Sequence, residues 1–116
     1  MLEISVIIPA LNEAGIIPSL LDRLGSVAVS EQWKLEIILV DDGSEDNTEL
    51  VVHNYRNEQI DSLVYIKFRK NSGKSEALSA GVRAASNDIL LTMDADLQDL
   101  PEEIPKLIYK IQEGYD

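Results

Sequence analysis

The sequence predicts an α/β fold in which a parallel β-sheet carries helices on both faces. Four short apolar segments alternate with amphipathic segments of helical period, and this alternation is typical of strands joined by right-handed helical crossovers. Residues 37–40 and 89–91 are apolar without interruption, as expected of strands that are covered on both sides. A length of 116 residues with 45% hydrophobic content fits one domain, residues 1–116, with a true core.

The predicted strands are residues 4–8, 35–40, 63–68 and 88–93. The first predicted helix carries an apolar stripe from Ile16 to Leu24, with Pro18 in the first turn, where proline is tolerated. Residues 25–33 are predicted to form a long connection. The second predicted helix follows residues 46 and 47, and Asp46 or Asn47 is expected to cap it.

The third and fourth predicted helices each have an apolar stripe. The third stripe includes Ala77, Leu78, Val82 and Ala85, and Gly81 is expected to allow close approach to the sheet. The fourth stripe consists of Ile104, Leu107, Ile108 and Ile111. Asp99, with Glu102 three residues later, predicts a capping box at its start.

The charge of the chain excludes several classes of function. A formal net charge of −11 and a pI near 4.4 argue against nucleic-acid binding, which needs Lys and Arg to neutralise phosphates. The absence of Cys rules out disulfides and thiolate chemistry. The apolar runs are too short to span a bilayer, and the N-terminus lacks a secretory-signal pattern, so we expect a cytoplasmic protein.

Polar motifs follow all four predicted strands, at residues 9–13, 41–44, 69–74 and 94–96. The carboxyl ends of parallel strands lie at one edge of a sheet, where open α/β sheets bind their ligands. We therefore expect the four motifs to share one rim.

Asp94 and Asp96 are the most informative residues on that rim. In extended backbone, side chains two residues apart lie on one face. Two carboxylates about 4 Å apart repel by roughly 4 kcal/mol at an effective dielectric constant of about 20. A hard divalent cation relieves that repulsion, so the pair predicts a metal site that meets an anionic ligand.

The other motifs each allow a structural and a functional interpretation. Asp41 and Asp42 are adjacent, so only one is expected to face a ligand; Gly43 also indicates a turn. Asn12 and Glu13 could begin a helix. A phosphate-binding loop at Gly73-Lys74-Ser75 is rejected because the required upstream Gly is Phe68. The basic cluster Lys67, Arg69, Lys70 and Lys74 fits either a solvated loop or a phosphate contact.

Taken in order, the motifs resemble the inverting nucleotide-sugar glycosyltransferases of family 2, whose fold is the Rossmann-like GT-A fold. The matching segments are residues 9–13, 41–44, 46–48, 71–74 and 93–99. The last segment is similar to that of polyprenyl-phosphate synthases, which make dolichol-phosphate mannose or bactoprenol-linked glucose. The family's domain continues beyond residue 116 into its acceptor-binding half, so the resemblance implies that this chain is the N-terminal, nucleotide-sugar-binding half.

The resemblance also implies roles for single residues. The nucleotide of a UDP- or GDP-linked sugar would contact Pro9, Leu11, Glu13, Val40, Asp42, Asp94 and Ala95. Asp96 and Gln98 would ligate Mg or Mn that bridges the donor diphosphate. The acceptor would be a polyprenyl phosphate or a glycan, the catalytic base would lie beyond residue 116, and the full-length protein would work at the cytoplasmic face of the membrane.

Two alternatives belong to other classes of protein. A phosphoacceptor signalling domain is also a parallel α/β unit with an acidic metal pocket, but its acidic pair follows the first strand, whereas here the pair follows the second. The chain could instead be a catalytically inactive fragment that acts through an unpaired sheet edge at residues 88–93, which predicts a homo-oligomer or aggregation.

Overall fold

The computed structural model describes residues 1–96 and 100–114. Its strands are β1 (Glu3–Ala10), β2 (Lys34–Asp41), β3 (Ser62–Lys67) and β4 (Ile89–Thr92). Its helices are α1 (Ile17–Glu31), α2 (Thr48–Asn54), α3 (Lys74–Ala84) and α4 (Ile104–Gln112), and a 3-10 turn (Pro101–Glu103) precedes α4. The four predicted strands are confirmed, with each boundary within two residues of the prediction.

The sheet has the order β3-β2-β1-β4, and each neighbouring pair is parallel. This is the order of the first four strands of the doubly wound dinucleotide-binding fold. Flavodoxin-like folds, which include signalling receivers, instead place β1 between β2 and β3. The strand order therefore argues against the phosphoacceptor alternative. It also places the topological switch point, where the order of successive strands across the sheet reverses, between β1 and β4.

Helices cover both faces of the sheet, as predicted. On one face, α1, α2 and α4 pack on alternate residues of the central strands, such as Val6 and Ile37. On the other face, α3 packs on Ile7, Ile38 and Val40. All residues of β2 after Lys34 are buried, which explains its continuous apolar sequence.

The prediction that residues 25–33 form a connection is wrong, because α1 continues to Glu31. Its buried stripe extends through Val27 and Ala28. Gly25, which has low helix propensity, is buried at a close contact: an added Cβ would lie 2.9 Å from the Asn57 side-chain nitrogen. Tertiary packing thus requires a small residue inside this helix.

Gly81 has the predicted role, since a Cβ there would lie 2.3 Å from Cγ2 of Ile7. The outer members of two predicted stripes are not buried, however. Val82 is 49% exposed, Leu107 54% and Ile111 47%. The buried face of each helix is therefore narrower than the predicted stripe, and it consists of Ala77 and Gly81 in α3 and of Ile104 and Ile108 in α4.

The strand before the acidic motif is shorter than predicted. β4 ends at Thr92, and Ala95 and Asp96 form a turn. The premise that Asp94 and Asp96 alternate in extended backbone is therefore wrong, and a turn brings them to the same region instead. The predicted capping box at Asp99 lies outside the described residues, while Glu102 accepts a hydrogen bond of 2.9 Å from Nε of Arg23 in α1.

At the opposite, amino end of the sheet, the buried Glu36 carboxylate ties three segments together. It accepts hydrogen bonds from the Ser5 hydroxyl (2.8 Å), the Ser86 N–H (2.9 Å) and the Ser86 hydroxyl (3.1 Å). Burial raises the pKa of Glu36, but these hydrogen bonds outweigh it and hold the pKa below its ordinary value. The network fixes the loop before β4 and so helps to place that strand.

Candidate functional site

A cleft of about 430 Å³ lies at the carboxyl ends of β1, β2 and β4. Its position spans the switch point between β1 and β4, where open α/β sheets bind ligands. The cleft is lined by parts of all four predicted rim motifs, namely Pro9, Ala10, Leu11, Glu13, Asp42, Asn71, Gly73, Lys74, Asp94, Ala95 and Asp96. The prediction that these motifs share one rim is confirmed.

Asp42 and its neighbour Asp41 have different surroundings, as their alternation predicts. Asp41 is fully buried and accepts hydrogen bonds from the Ser44 N–H and the Tyr65 hydroxyl. Burial of Tyr65 and its hydrogen bond to Asp41 raise the pKa of the phenol well above its ordinary value. Asp41 therefore holds the turn, whereas Asp42 lines the cleft.

The Asp42 carboxylate also fixes the third rim loop. Its two oxygens accept hydrogen bonds from the backbone N–H groups of Ser72 (2.7 Å) and Gly73 (3.0 Å). Gly43, at φ +86°, packs against the same loop so closely that a Cβ would lie 2.5 Å from the carbonyl carbon of Lys70. The second and third loops are consequently interlocked at the cleft.

Asn12 links the first loop to the second and does not cap α1. It adopts the left-handed conformation, with φ 54°, which Asn tolerates better than most residues. Its N–H donates to the Ser44 hydroxyl (2.8 Å), and its side-chain oxygen accepts from the N–H of Glu45 (2.8 Å).

Asp46 connects the same two loops. It accepts hydrogen bonds from the Thr48 N–H at the start of α2 and from the Ala14 N–H before α1. The Thr48 hydroxyl and these N–H groups lower the pKa of Asp46. Asn47 occupies the N-cap position of α2, but its side chain makes no capping hydrogen bond. Of the two predicted caps, Asp46 is therefore the residue that bonds the start of the helix.

Lys74, the first residue of α3, forms an ion pair with Asp94 across the cleft. Its Nζ lies 2.7 Å from Oδ1 of Asp94. For the basic cluster that includes Lys74, the sequence predicted either a solvated loop or a phosphate contact. The ion pair with Asp94 was not predicted. Lys67, by contrast, pairs with Glu49, with 2.8 Å between its Nζ and Oε1 of Glu49.

Most of the predicted ligand-binding residues meet in the cleft, but two do not belong to its described wall. Val40 is fully buried against Ile7, Ile38 and Ala77, so its side chain lies in the core and not in the cleft. Gln98 lies outside the described residues. The sequence predicted no role for Ala10, which lies beside Pro9 in the cleft wall, and it did not predict the ion pair of Lys74 with Asp94. Both features depend on loop conformations that tertiary contacts determine.

The acidic residues of the cleft fit a divalent cation that is shared with the phosphates of a ligand. Among the described residues, no cluster of three His, Asp or Glu side chains could hold a metal ion alone. Asp94 and Asp96 nevertheless supply carboxylate oxygens at one end of the cleft. Mg²⁺ is commonly bound by one or two carboxylates together with substrate phosphates, and this donor set matches that pattern.

Two other features bear on function. A groove of about 450 Å³ lies between α2 and β3, but its walls contain none of the predicted ligand-binding residues. Within residues 1–96 and 100–114, every helix falls short of the length and apolar character that a bilayer crossing demands.

The sequence is similar to those of undecaprenyl-phosphate sugar transferases. It is 40% identical over 114 residues to an undecaprenyl-phosphate 4-deoxy-4-formamido-L-arabinose transferase of Yersinia pestis, an alignment that covers 98% of this chain and 35% of that protein. A similar enzyme of Proteus mirabilis is also 40% identical over the same length. The chain thus spans about a third of the length of these relatives.

Solved structures with a similar fold include nucleotide-sugar complexes. Staphylococcus aureus TarS 1-349 with UDP-GlcNAc superimposes with a TM-score of 0.78 at 27% identity, over 97% of this chain and 32% of TarS 1-349. Glucosyl-3-phosphoglycerate synthase of Mycobacterium tuberculosis, in complex with Mn²⁺, UDP and glucosyl-3-phosphoglycerate, gives a TM-score of 0.68 at 32% identity, over 93% of this chain and 40% of the synthase.

The family-level match covers nearly all of the chain. Residues 5–116 match glycosyl transferase family 2. The parallel sheet, its helices and these structural neighbours together agree with the expected GT-A fold. The chain therefore belongs to glycosyl transferase family 2.

Proposed function

We propose that this chain forms the donor site of a metal-dependent glycosyltransferase that moves a sugar from a nucleoside diphosphate to a polyprenyl phosphate or glycan. The observation that carries this proposal is a single cleft at the switch point, with Asp42 on the β2 side and Asp94 and Asp96 on the β4 side. The base of a nucleotide could therefore donate a hydrogen bond to the Asp42 carboxylate while its diphosphate lies at the turn that carries Asp94 and Asp96.

The β2 side of the cleft is suited to the nucleoside. A carboxylate offers about four acceptor sites, and two backbone N–H groups use only part of the capacity of Asp42. Asp42 can still accept a base N–H, and the two bonds that it already makes prevent its rotation. Pro9 and Leu11 would form the apolar wall, and Glu13 would accept a ribose hydroxyl or a base N–H.

The β4 side is suited to the diphosphate and its cation. Asp94 and Ala95 would contact the nucleotide, while Asp96 and Gln98 would ligate Mg or Mn. When bound, the cation would neutralise the diphosphate against the carboxylates and stabilise the charge that develops on the departing nucleoside diphosphate. The residues of this chain bind and orient the donor so that its anomeric carbon faces the acceptor.

The names of the relatives support the proposed acceptor. The Yersinia pestis relative is named for transfer to undecaprenyl phosphate, which supports a lipid-phosphate acceptor here. With such an acceptor the reaction would occur at the cytoplasmic face of a membrane. Residues 1–116 would form the donor-binding half, and the base that activates the acceptor would come from sequence beyond residue 116.

Isothermal titration calorimetry of the chain with UDP and GDP, with and without Mn²⁺, tests the donor site. We expect binding of one of the two nucleotides that depends on Mn²⁺. Asp42→Asn should weaken it roughly tenfold, because loss of a charged hydrogen bond costs about 1.5 kcal/mol, and Asp96→Asn should remove the dependence on Mn²⁺.

Asp88→Asn is the matched control, since Asp88 is exposed and precedes β4 at the opposite end of the sheet. It removes the same charge and should leave binding unchanged. Equal losses of nucleotide affinity in Asp42→Asn and Asp88→Asn, or nucleotide binding that does not depend on Mn²⁺, would contradict the proposed function.

A further inference from the structure

The backbone of Lys74 is held firmly in place at the cleft. It directly follows Gly73, whose N–H donates to Asp42, and it begins α3. Its side chain remains 61% exposed although its Nζ contacts Asp94 at 2.7 Å. A flexible four-carbon stem on a fixed backbone lets the ammonium group reach alternative partners in the same cleft.

Lys74 also has a distinctive charge. Among the described residues that line the cleft, it is the single basic side chain, against the four carboxylates of Glu13, Asp42, Asp94 and Asp96. The ion pair with Asp94 therefore balances part of the negative charge that would otherwise attract a divalent cation. In the cleft without a ligand, Lys74 thus partly neutralises a carboxylate next to the proposed metal site.

We propose that Lys74 couples cation binding to donor binding by exchanging partners. In the cleft without a donor, its pair with Asp94 weakens the binding of Mg or Mn at the neighbouring Asp96. When a diphosphate enters, the ammonium group moves to a phosphate oxygen, for which lysine is a common point-charge ligand, and leaves the Asp94 carboxylate to the cation and nucleotide. This inference rests on the proposed donor site and assigns Lys74 as a donor-binding residue within it.

The exchange has a thermodynamic consequence in both directions. If Lys74 makes the cation depend on the nucleotide, the nucleotide must depend on the cation by the same factor. Removing the ammonium group should therefore raise the affinity for Mn²⁺ alone and reduce the cooperativity between Mn²⁺ and UDP or GDP. Damage to the fold would lower the affinity for Mn²⁺, so a rise separates the proposed role from a merely structural one.

The test is a Mn²⁺ titration of the chain followed by electron paramagnetic resonance, which reports free Mn²⁺, without nucleotide and with saturating UDP or GDP. Lys74→Gln should bind Mn²⁺ alone about threefold more tightly or better, as expected for loss of one half-exposed ion pair beside the site. Its ratio of Mn²⁺ affinities with and without nucleotide should fall by at least the same factor.

Lys70→Gln is the matched control, because Lys70 is exposed in the same loop and lies outside the cleft wall. It removes the same charge and should change neither quantity. A Mn²⁺ affinity that is unchanged or lower in Lys74→Gln, or that rises equally in Lys70→Gln, overturns the inference. Absence of Mn²⁺-dependent nucleotide binding in the unsubstituted chain would instead contradict the proposed function itself.

Discussion

Replacing Gly43 by alanine should force apart the two loops that hold Asp42 in the cleft. An added Cβ would lie 2.5 Å from the carbonyl carbon of Lys70 and 2.6 Å from the backbone nitrogen of Asn71. Both contacts are with backbone atoms, which cannot rotate away as a side chain can. The loops must therefore separate, and the hydrogen bonds from Ser72 and Gly73 to Asp42 must lengthen.

The cost can be estimated from two contributions. Gly43 has φ +86°, and an L-residue in left-handed backbone costs about 1–2 kcal/mol. Overpacking against atoms that yield only by a backbone shift costs about 1–3 kcal/mol. We expect Gly43→Ala to lower the free energy of unfolding by about 2–5 kcal/mol, which is a large part of the stability of a typical small domain.

Urea unfolding of three variants separates the contributions. Gly73 has φ +101° with no atom within 4 Å of an added Cβ, so Gly73→Ala reports backbone strain without overlap. Gly15 has neither feature, so Gly15→Ala should be nearly neutral. If Gly43→Ala lowers the free energy of unfolding, relative to Gly15→Ala, by no more than the roughly 1–2 kcal/mol of backbone strain alone, the loops are not interlocked and the reasoning is wrong.

Two further predictions concern other parts of the molecule. Because the pKa of Glu36 is lower in the folded state than in the unfolded chain, its contribution to stability is present above its ordinary pKa and is lost as the pH falls through the folded value. Glu36→Gln should therefore be less stable near neutral pH and lose stability less steeply below about pH 4 in pH-dependent urea unfolding; parallel curves would refute this role. The edge of β4 should pair with a second copy, since Leu90 there is 38% exposed and, among the residues that the structure describes, the strand has a sheet neighbour only on its β1 side. Light scattering should detect dimers that Leu90→Lys abolishes, and a clean monomer at high concentration would count against pairing.

Much of the fold could be predicted because its strongest signals are local. The unbroken apolar run of β2 requires cover on both faces, and together with the alternation of strand and helix patterns it predicts a helix-covered parallel sheet. The length of α1 could not be predicted in the same way. Gly25 disfavours helix locally, and the helix continues because Val27 and Ala28 beyond it are buried in the core.

The candidate site was predictable to the extent that topology determines it. The carboxyl ends of parallel strands share one edge, so Asp42 and Asp96 were expected on one rim, and they line one cleft because β1 alone separates β2 from β4. Val40 and Lys74 show the limit. Alternation along β2 turns Val40 into the core beside α3, and the pair between Lys74 and Asp94 joins segments whose separation depends on loop conformation.

The central claim is that the cleft between β1 and β4 receives the nucleotide and its cation. Amide NMR spectra of the chain, recorded with UDP or GDP and substoichiometric Mn²⁺, test it directly because the ion broadens signals only near its binding site. We expect broadening at Leu11, Gly73 and Ala95, with sharp signals at Ser62 and Leu63 in the groove between α2 and β3. Broadening confined to that groove, or spread evenly over the acidic surface, would contradict the account.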